Sequence, residues 1–182
     1  MKLLIIFGPP AVGKMTVGKC IEERTSFKLF HNHMVMDVVM HIFGANTPAE
    51  DRLSRSIRES VIAEAADSNI DLIFTYVWNF ALDKGRRNIE AYKQHYESRG
   101  GSVTFVELTA PLEIRTSRAA SPSRFAAKTY TGDADEVARL ETTRDFVSPD
   151  PFFYPDHYLK IDAVNRAPED IALQIIDWQG HT

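Results

Sequence analysis

A single cysteine, Cys20, stands among 182 residues. No intrachain disulfide can form, so stability must come from a packed core, and a reducing, cytoplasmic setting is expected. Its place beside Ile21 reads as packing. Long apolar runs are missing as well. The run near the start, Leu3 to Phe7, is too short for a signal peptide or a membrane span. Nor does one sign of charge dominate: 21 Lys and Arg stand against 25 Asp and Glu, a formal net charge of −4. General attraction to polyanions is thereby excluded, and neither nucleic acid nor a membrane is expected as a partner. Low-complexity tracts and internal repeats are absent. His31, His33 and His41 are unaided by cysteine and fit no standard zinc spacing. The length suits one full-sized core and is short for two, so residues 1–182 are expected to form one domain.

What is present is concentrated near the start. Leu3-Leu4-Ile5-Ile6-Phe7 reads as a buried strand, and Gly8, Pro9, Pro10, Ala11, Val12, Gly13, Lys14, Met15 and Thr16 follow it directly. This completes the pattern G-x-x-x-x-G-K between a strand and a helical stretch. Glycines let the backbone curl so that several N–H groups point at one anion, and the following helix aims its positive end at the same spot. The lysine reaches the outer phosphates of a nucleotide as a point charge. The next position commonly offers a hydroxyl to Mg²⁺. Here it is Met15, and Thr16 provides a hydroxyl one residue later as the candidate metal ligand. Water and phosphate oxygens would complete the coordination, which suits Mg²⁺.

The rest of the chain alternates strand and helix signals. A first helix runs to about Thr25, and Phe27 to Phe30 is a short strand ending in His31-Asn32-His33. A Met- and Val-rich helix follows over Met34 to Phe43, with Gly44 as its stop. Thr47-Pro48-Ala49-Glu50 is a capping box with proline in the first turn. Leu53, Ile57, Val61 and Ala65 then form one apolar stripe, expected to be buried, with Arg52, Arg55 and Arg58 off it. Further strands are expected at Asp71–Trp78, Val103–Thr109 and Tyr158–Asp162, and further helices at about 83–99, 111–118, 133–146 and from Pro168 onward. Five such alternations argue for an α/β fold with a parallel sheet covered on both faces. Ligands on such sheets lie beyond the carboxyl ends of the strands. The glycine loop, the His-Asn-His turn and the Trp78 turn all occupy such ends.

With this loop and this order of elements, the chain resembles the P-loop small kinases: nucleoside monophosphate kinases, shikimate kinases, gluconate kinases and antibiotic phosphotransferases. Adenylate kinases carry Gly-Thr after the lysine, which Met15-Thr16 resembles. The resemblance implies a three-layer α/β/α P-loop fold with a five-stranded parallel sheet and a small lid over about residues 119–146. ATP and Mg²⁺ are the cofactors it implies. Leu108-Thr-Ala-Pro111-Leu-Glu113 with Arg118 resembles the family's approach to the lid, where an arginine seven residues after the proline lies over the base. Arg124 and Lys128 loosely match the lid cations. Asp133 to Arg139 resembles the adenylate-kinase lid-exit helix, whose arginines face the transferred phosphoryl. Asp162 with Asn165 resembles the segment bordering the adenine.

The acceptor side departs from the pattern. Shikimate kinases place Asp-x-Asp where this chain has His31-Asn32-His33, so no particular acceptor carries over. His33 or Asp37 could take a hydroxyl proton, and their spacing on one helix face would let the carboxylate orient the imidazole. A capping turn with an exposed histidine explains them equally well. Asn32 is a candidate contact to the acceptor. Arg58 resembles the arginine that shikimate kinases use on the substrate carboxylate, and a helix-surface salt bridge is its rival reading. Trp78 is either a pocket wall or core. Thr75 stands where a strong Walker B strand carries an acid. The expected activity is transfer of the γ-phosphoryl of MgATP to a hydroxyl of a small molecule. A nucleoside monophosphate kinase and a nucleotide-binding regulatory ATPase are the alternatives.

Overall fold

A computed structural model describes residues 1–121 and 132–180. Five strands, β1 (Lys2–Phe7), β2 (Lys28–His31), β3 (Leu72–Tyr76), β4 (Ser102–Thr109) and β5 (Tyr158–Asp162), form one sheet in the order β2-β3-β1-β4-β5. Every pairing is parallel. The helices among the described residues are α1 (Lys14–Glu22), α2 (His33–Phe43), α3 (Pro48–Asp67), α4 (Asp83–Glu97), α5 (Leu112–Ala119), α6 (Ala134–Thr143) and α7 (Pro168–Gly180). The expected fold class and the five-stranded parallel sheet are both observed.

Strand β1 is central, and Leu3 to Phe7 are wholly buried. Side chains alternate across a strand, so this run feeds two cores at once. Leu3, Ile5 and Phe7 meet Val35 and Val39 of α2, Ile62 of α3 and Ile89, Tyr92 and Tyr96 of α4. Leu4 and Ile6 meet Val17 and Ile21 of α1 and Ile171 and Ile175 of α7. Burying each such side chain contributes about 1.5–3 kcal/mol, which makes β1 the spine of a three-layer sandwich.

The helix boundaries follow their local signals. Thr47 Oγ1 accepts from the Glu50 amide at 3.1 Å, and Asp133 Oδ1 from the Glu136 amide at 2.9 Å, so α3 and α6 start at side-chain caps. Gly44, at φ 76°, ends α2.

The apolar stripe expected on α3 is corrected in part: Leu53 packs against the core and Ala65 is buried, but Ile57 and Val61 are not. Ile57 and Val61 are exposed at 38% and 37%, while Ser54, Ile62, Ala65 and Ala66 face inward. The helix is rolled so that half-buried Arg58 lies on the Ser54–Ile62 line. Polar side chains are tolerated there because Ser54 Oγ donates to Glu50 Oε1 at 3.0 Å and the guanidinium opens onto a cavity.

Two buried charges brace the layers. Glu107 on β4 is 1% exposed and accepts hydrogen bonds from Ser148 Oγ, at 2.7 Å, and from Tyr158 Oη; Lys160 Nζ lies 3.4 Å away. Arg115 on α5 is 2% exposed, donates from Nε to the Ala110 carbonyl at 3.0 Å, and pairs with Glu141 of α6 at 2.7 Å.

Gly8 leaves β1 at φ 140°, and a Cβ there would lie 2.2 Å from the Leu108 carbonyl oxygen of β4. Gly8→Ala is expected to cost at least about 2 kcal/mol, from strain and from forcing β1 and β4 apart. Urea denaturation checks it, and an unchanged midpoint would contradict the close approach.

Candidate functional site

The carboxyl ends of the strands lie on one side of the sheet, within two residues of a common register. Phe7 pairs in register with Tyr76 and Glu107, His31 with Thr75, and Thr109 with Asp162. Beyond them lie two cavities. The first, about 430 Å³, is lined by residues 10–17 of the glycine loop and α1, by His31, Asn32 and His33, by Thr75, Tyr76 and Val77, and by Arg118, Ala163 and Arg166. The second, about 630 Å³, lies between α2, α3, the start of α4 and α6. Pro10, Asn32, His33, Tyr76 and Val77 line both.

The loop is held in the form that the motif requires. Gly13, at φ 112°, is the N-cap of α1 and gives that helix no side-chain cap, so its first-turn amides remain available to an anion. Lys14 Nζ donates to the Gly8 carbonyl at 2.8 Å and the Pro9 carbonyl at 2.7 Å, which keeps the ammonium over the loop. Met15 packs against the core below α1, whereas Thr16 is exposed at the cavity rim. Among the described residues no three His, Cys, Asp or Glu side chains gather to hold a metal ion.

No protein-family model and no curated protein matches the chain. Solved structures do. A putative kinase from Chloroflexus aurantiacus aligns with a TM-score of 0.69 at 15% identity, covering 99% of this chain and 96% of its own. A sugar kinase from Janibacter sp. gives 0.63 at 15% identity over 99% and 95%. A shikimate kinase from Acinetobacter baumannii, in complex with shikimate, gives 0.60 at 19% identity over 97% and 92%. The chain has the P-loop small-molecule kinase fold. In this kinase fold the five-stranded parallel sheet stands as the resemblance implied.

The candidate residues divide sharply. Gly13, Lys14, Met15, Thr16, Asn32, His33 and Arg118 gather around the first cavity, with Pro10, Ala11 and Val12. Gly8 and Pro9 supply the carbonyls under Lys14. Arg118 donates from Nη1 to the Val12 carbonyl at 3.1 Å and from Nη2 to the Ala163 carbonyl at 2.7 Å. It thus ties the glycine loop to the turn after β5. His33 Nδ1 lies 3.8 Å from Asp37 Oδ1, too far for a hydrogen bond and within ion-pair distance once the ring is protonated. Asn32 caps nothing with its side chain; its Oδ1 is buried with no hydrogen-bond partner among the described residues.

Three assignments need correction. Trp78 is 1% exposed and belongs to the core: it stacks on Phe80 at 4.9 Å between centroids and meets Phe7 edge-on at 5.5 Å. It is no pocket wall, because Gly85 lets α4 close directly over its indole. Arg139 points outward, bonded to Glu136 through Nε and Nη2 at 2.7 and 2.6 Å. Arg144, in extended backbone just after α6, lines the second cavity instead. Asn165 is exposed at φ 51° and lines neither cavity; it makes the turn that delivers Arg166. Arg124 and Lys128 lie outside the described residues.

Arg58 belongs to the second cavity and not to the helix surface. Burial pushes its pKa below the ordinary arginine value, and its Nε is buried with no hydrogen-bond partner among the described residues. Sequence reasoning missed Tyr76, Arg144 and Arg166, as well as Arg55, which also faces this cavity. For Arg55 a signal existed: arginines three apart share a helix face.

Arg118→Met removes both carbonyl bonds from the loop. The expectation is roughly tenfold or greater loss of affinity for an ATP analogue, about one and a half kcal/mol, by isothermal titration. Wild-type affinity would show that the tie is unrelated to nucleotide binding.

Proposed function

We propose that the chain is an ATP-dependent phosphotransferase that moves the γ-phosphoryl of MgATP to a hydroxyl of a small molecule. One observation carries this reading: a phosphate-loop cavity and a second cavity share a wall at His33. Donor and acceptor held on either side of that wall would meet without crossing bulk water, which is most of what phosphoryl transfer needs.

Each residue then has a task. The loop amides and the first turn of α1 bind phosphate oxygens. Lys14 exchanges the Gly8 and Pro9 carbonyls for outer phosphate oxygens and neutralises charge that builds on them. Arg118 fixes the floor of the base site. A bound Mg²⁺ would supply Lewis-acid stabilisation of the charge on the phosphate oxygens. Thr16 is the hydroxyl the chain offers it, and water and phosphate must provide the remaining ligands. His33 takes the acceptor's hydroxyl proton, and Asp37 stabilises the imidazolium so formed. Asn32, through its buried Oδ1, orients the acceptor, and Arg58 receives its polar end. A cytoplasmic location fits a reaction that draws on ATP.

A nucleotide-binding regulatory ATPase is favoured by one feature. Thr75 is buried and accepts from the Asn32 amide at 3.3 Å, where an acid would otherwise assist the metal. ADP release measured against a broad panel of hydroxyl compounds decides between them: a switch shows no acceptor stimulation.

Lys14→Ala should abolish turnover or lower it at least about a hundredfold, with ATP affinity reduced by titration calorimetry. Unchanged activity would reject the site. His33→Ala should lower kcat by about 10²–10⁴ with ATP affinity retained. Asp37→Asn should lower it less, in keeping with a supporting role.

A further inference from the structure

Helix α2 is apolar on every side. Only His33, Asp37 and His41 among its eleven residues are polar. Val35 and Val39 enter the core, and Met36 and Met40 line the second cavity. Met34, Val38 and Ile42 form a third row that meets solvent, exposed at 50%, 58% and 65%. A helix that is apolar all round is ordinarily enclosed.

Helix α3 extends the row. The two helices pack together and are joined by the short connection 44–47. Residues two apart point to opposite sides of a helix. Val38 and Ile42 therefore turn away from Met36 and Met40, and Ile57 turns away from Arg55, all three of which line the cavity. Val61 follows Ile57 one turn later, on the same side. The helix pair thus has a cavity face and, behind it, an apolar face of five side chains.

That face presents on the order of 400–500 Å² of apolar surface, as large as the largest patch on an ordinary monomer. A standard interface buries about 800 Å² per partner, an apolar core within a polar rim. The face has the size of such a core.

We infer that it pairs two copies of this chain, with α2 crossing α2 antiparallel about a two-fold axis at Val38. A contact of this symmetry requires a patch that matches itself, and this row does. Val38 meets Val38 at the centre, where its short side chain lets the helices approach. Met34 of each copy meets Ile42 of the other at the two ends. Asp37 and His41 lie one turn apart along one edge of the row, so the antiparallel crossing sets the carboxylate of each copy beside the imidazole of the other. The helix dipoles oppose each other as well. A lipid surface or a nucleic acid fits poorly, because each calls for cations beside the row and α2 carries no Lys or Arg. The pairing goes beyond the kinase reading and does not depend on it.

Analytical ultracentrifugation of the full chain at tens of micromolar should give twice the chain mass of 20.6 kDa. Val38→Glu places two carboxylates on the axis and should weaken the dimer at least about a hundredfold, to a monomer, with the circular dichroism spectrum unchanged. Leu173→Glu makes the same change at a position on α7 that is 54% exposed, and should leave the dimer intact. Val38→Cys should form an interchain disulfide on mild oxidation, because the two-fold brings position 38 onto its own copy. Cys20 is buried and does not compete. Leu173→Cys should stay largely unlinked. A monomeric wild type overturns the inference, whether or not it floats with anionic phospholipid vesicles. So does a dimer that survives Val38→Glu, or a disulfide that forms no faster at position 38 than at 173.

Discussion

Gly8 meets the Leu108 carbonyl so closely that only a hydrogen fits between them, and the site is built outward from that contact. It brings the end of β1 down against β4 at the point where the chain must turn away from the sheet. The turn that results carries α1 out over the strand ends with its amides facing the cavity. A side chain at position 8 would lift the loop, and the carbonyls beneath Lys14 would move with it. The wholly buried β1 run makes the contact stiff, since displacing it would disturb both cores.

Charge is arranged around the site in two different ways. Glu107 and Arg115 are almost fully buried, and each is met by several partners: Ser148, Tyr158 and Lys160 for the first, Ala110 and Glu141 for the second. Such groups brace the scaffold, although Arg115 Nη1 is buried with no hydrogen-bond partner among the described residues. Arg58 differs. It too has one buried nitrogen without a hydrogen-bond partner among the described residues, but it lines the second cavity. What separates Arg58 from Arg115 is the cavity it lines, not its burial or its unmatched nitrogen.

The histidine turn joins these parts. His31 ends β2 in register with Thr75, the Asn32 amide bonds to Thr75 Oγ1, and His33 opens α2 at the wall shared by the two cavities. A sheet-register contact therefore sets where the imidazole stands. Asp37 follows one helical turn later, and helix geometry alone brings it to the ring.

Much of this was legible in the residues. The alternation of strand and helix signals, the glycine loop and the caps at Thr47 and Asp133 are local, because each depends on neighbours a few positions away. The parallel sheet, the first helix at Lys14 and the meeting of His33 with Asp37 follow from such spacing. Three matters were not local. Trp78 reads alike as wall or core until Gly85 closes α4 over it. Arg139 lies on α6 and bonds to Glu136, whereas Arg144 follows the helix in extended backbone and lines the second cavity. The roll of α3 depended on an empty space beside it that no stretch of sequence contains. Hydrophobic periodicity finds the face that packs against side chains, but it cannot find a face that looks onto a cavity. The chain by itself therefore determined its fold and its phosphate loop, through short-range stereochemistry. Only the tertiary structure decided which arginines converge, because convergence is set by the packing of helices far apart in the chain.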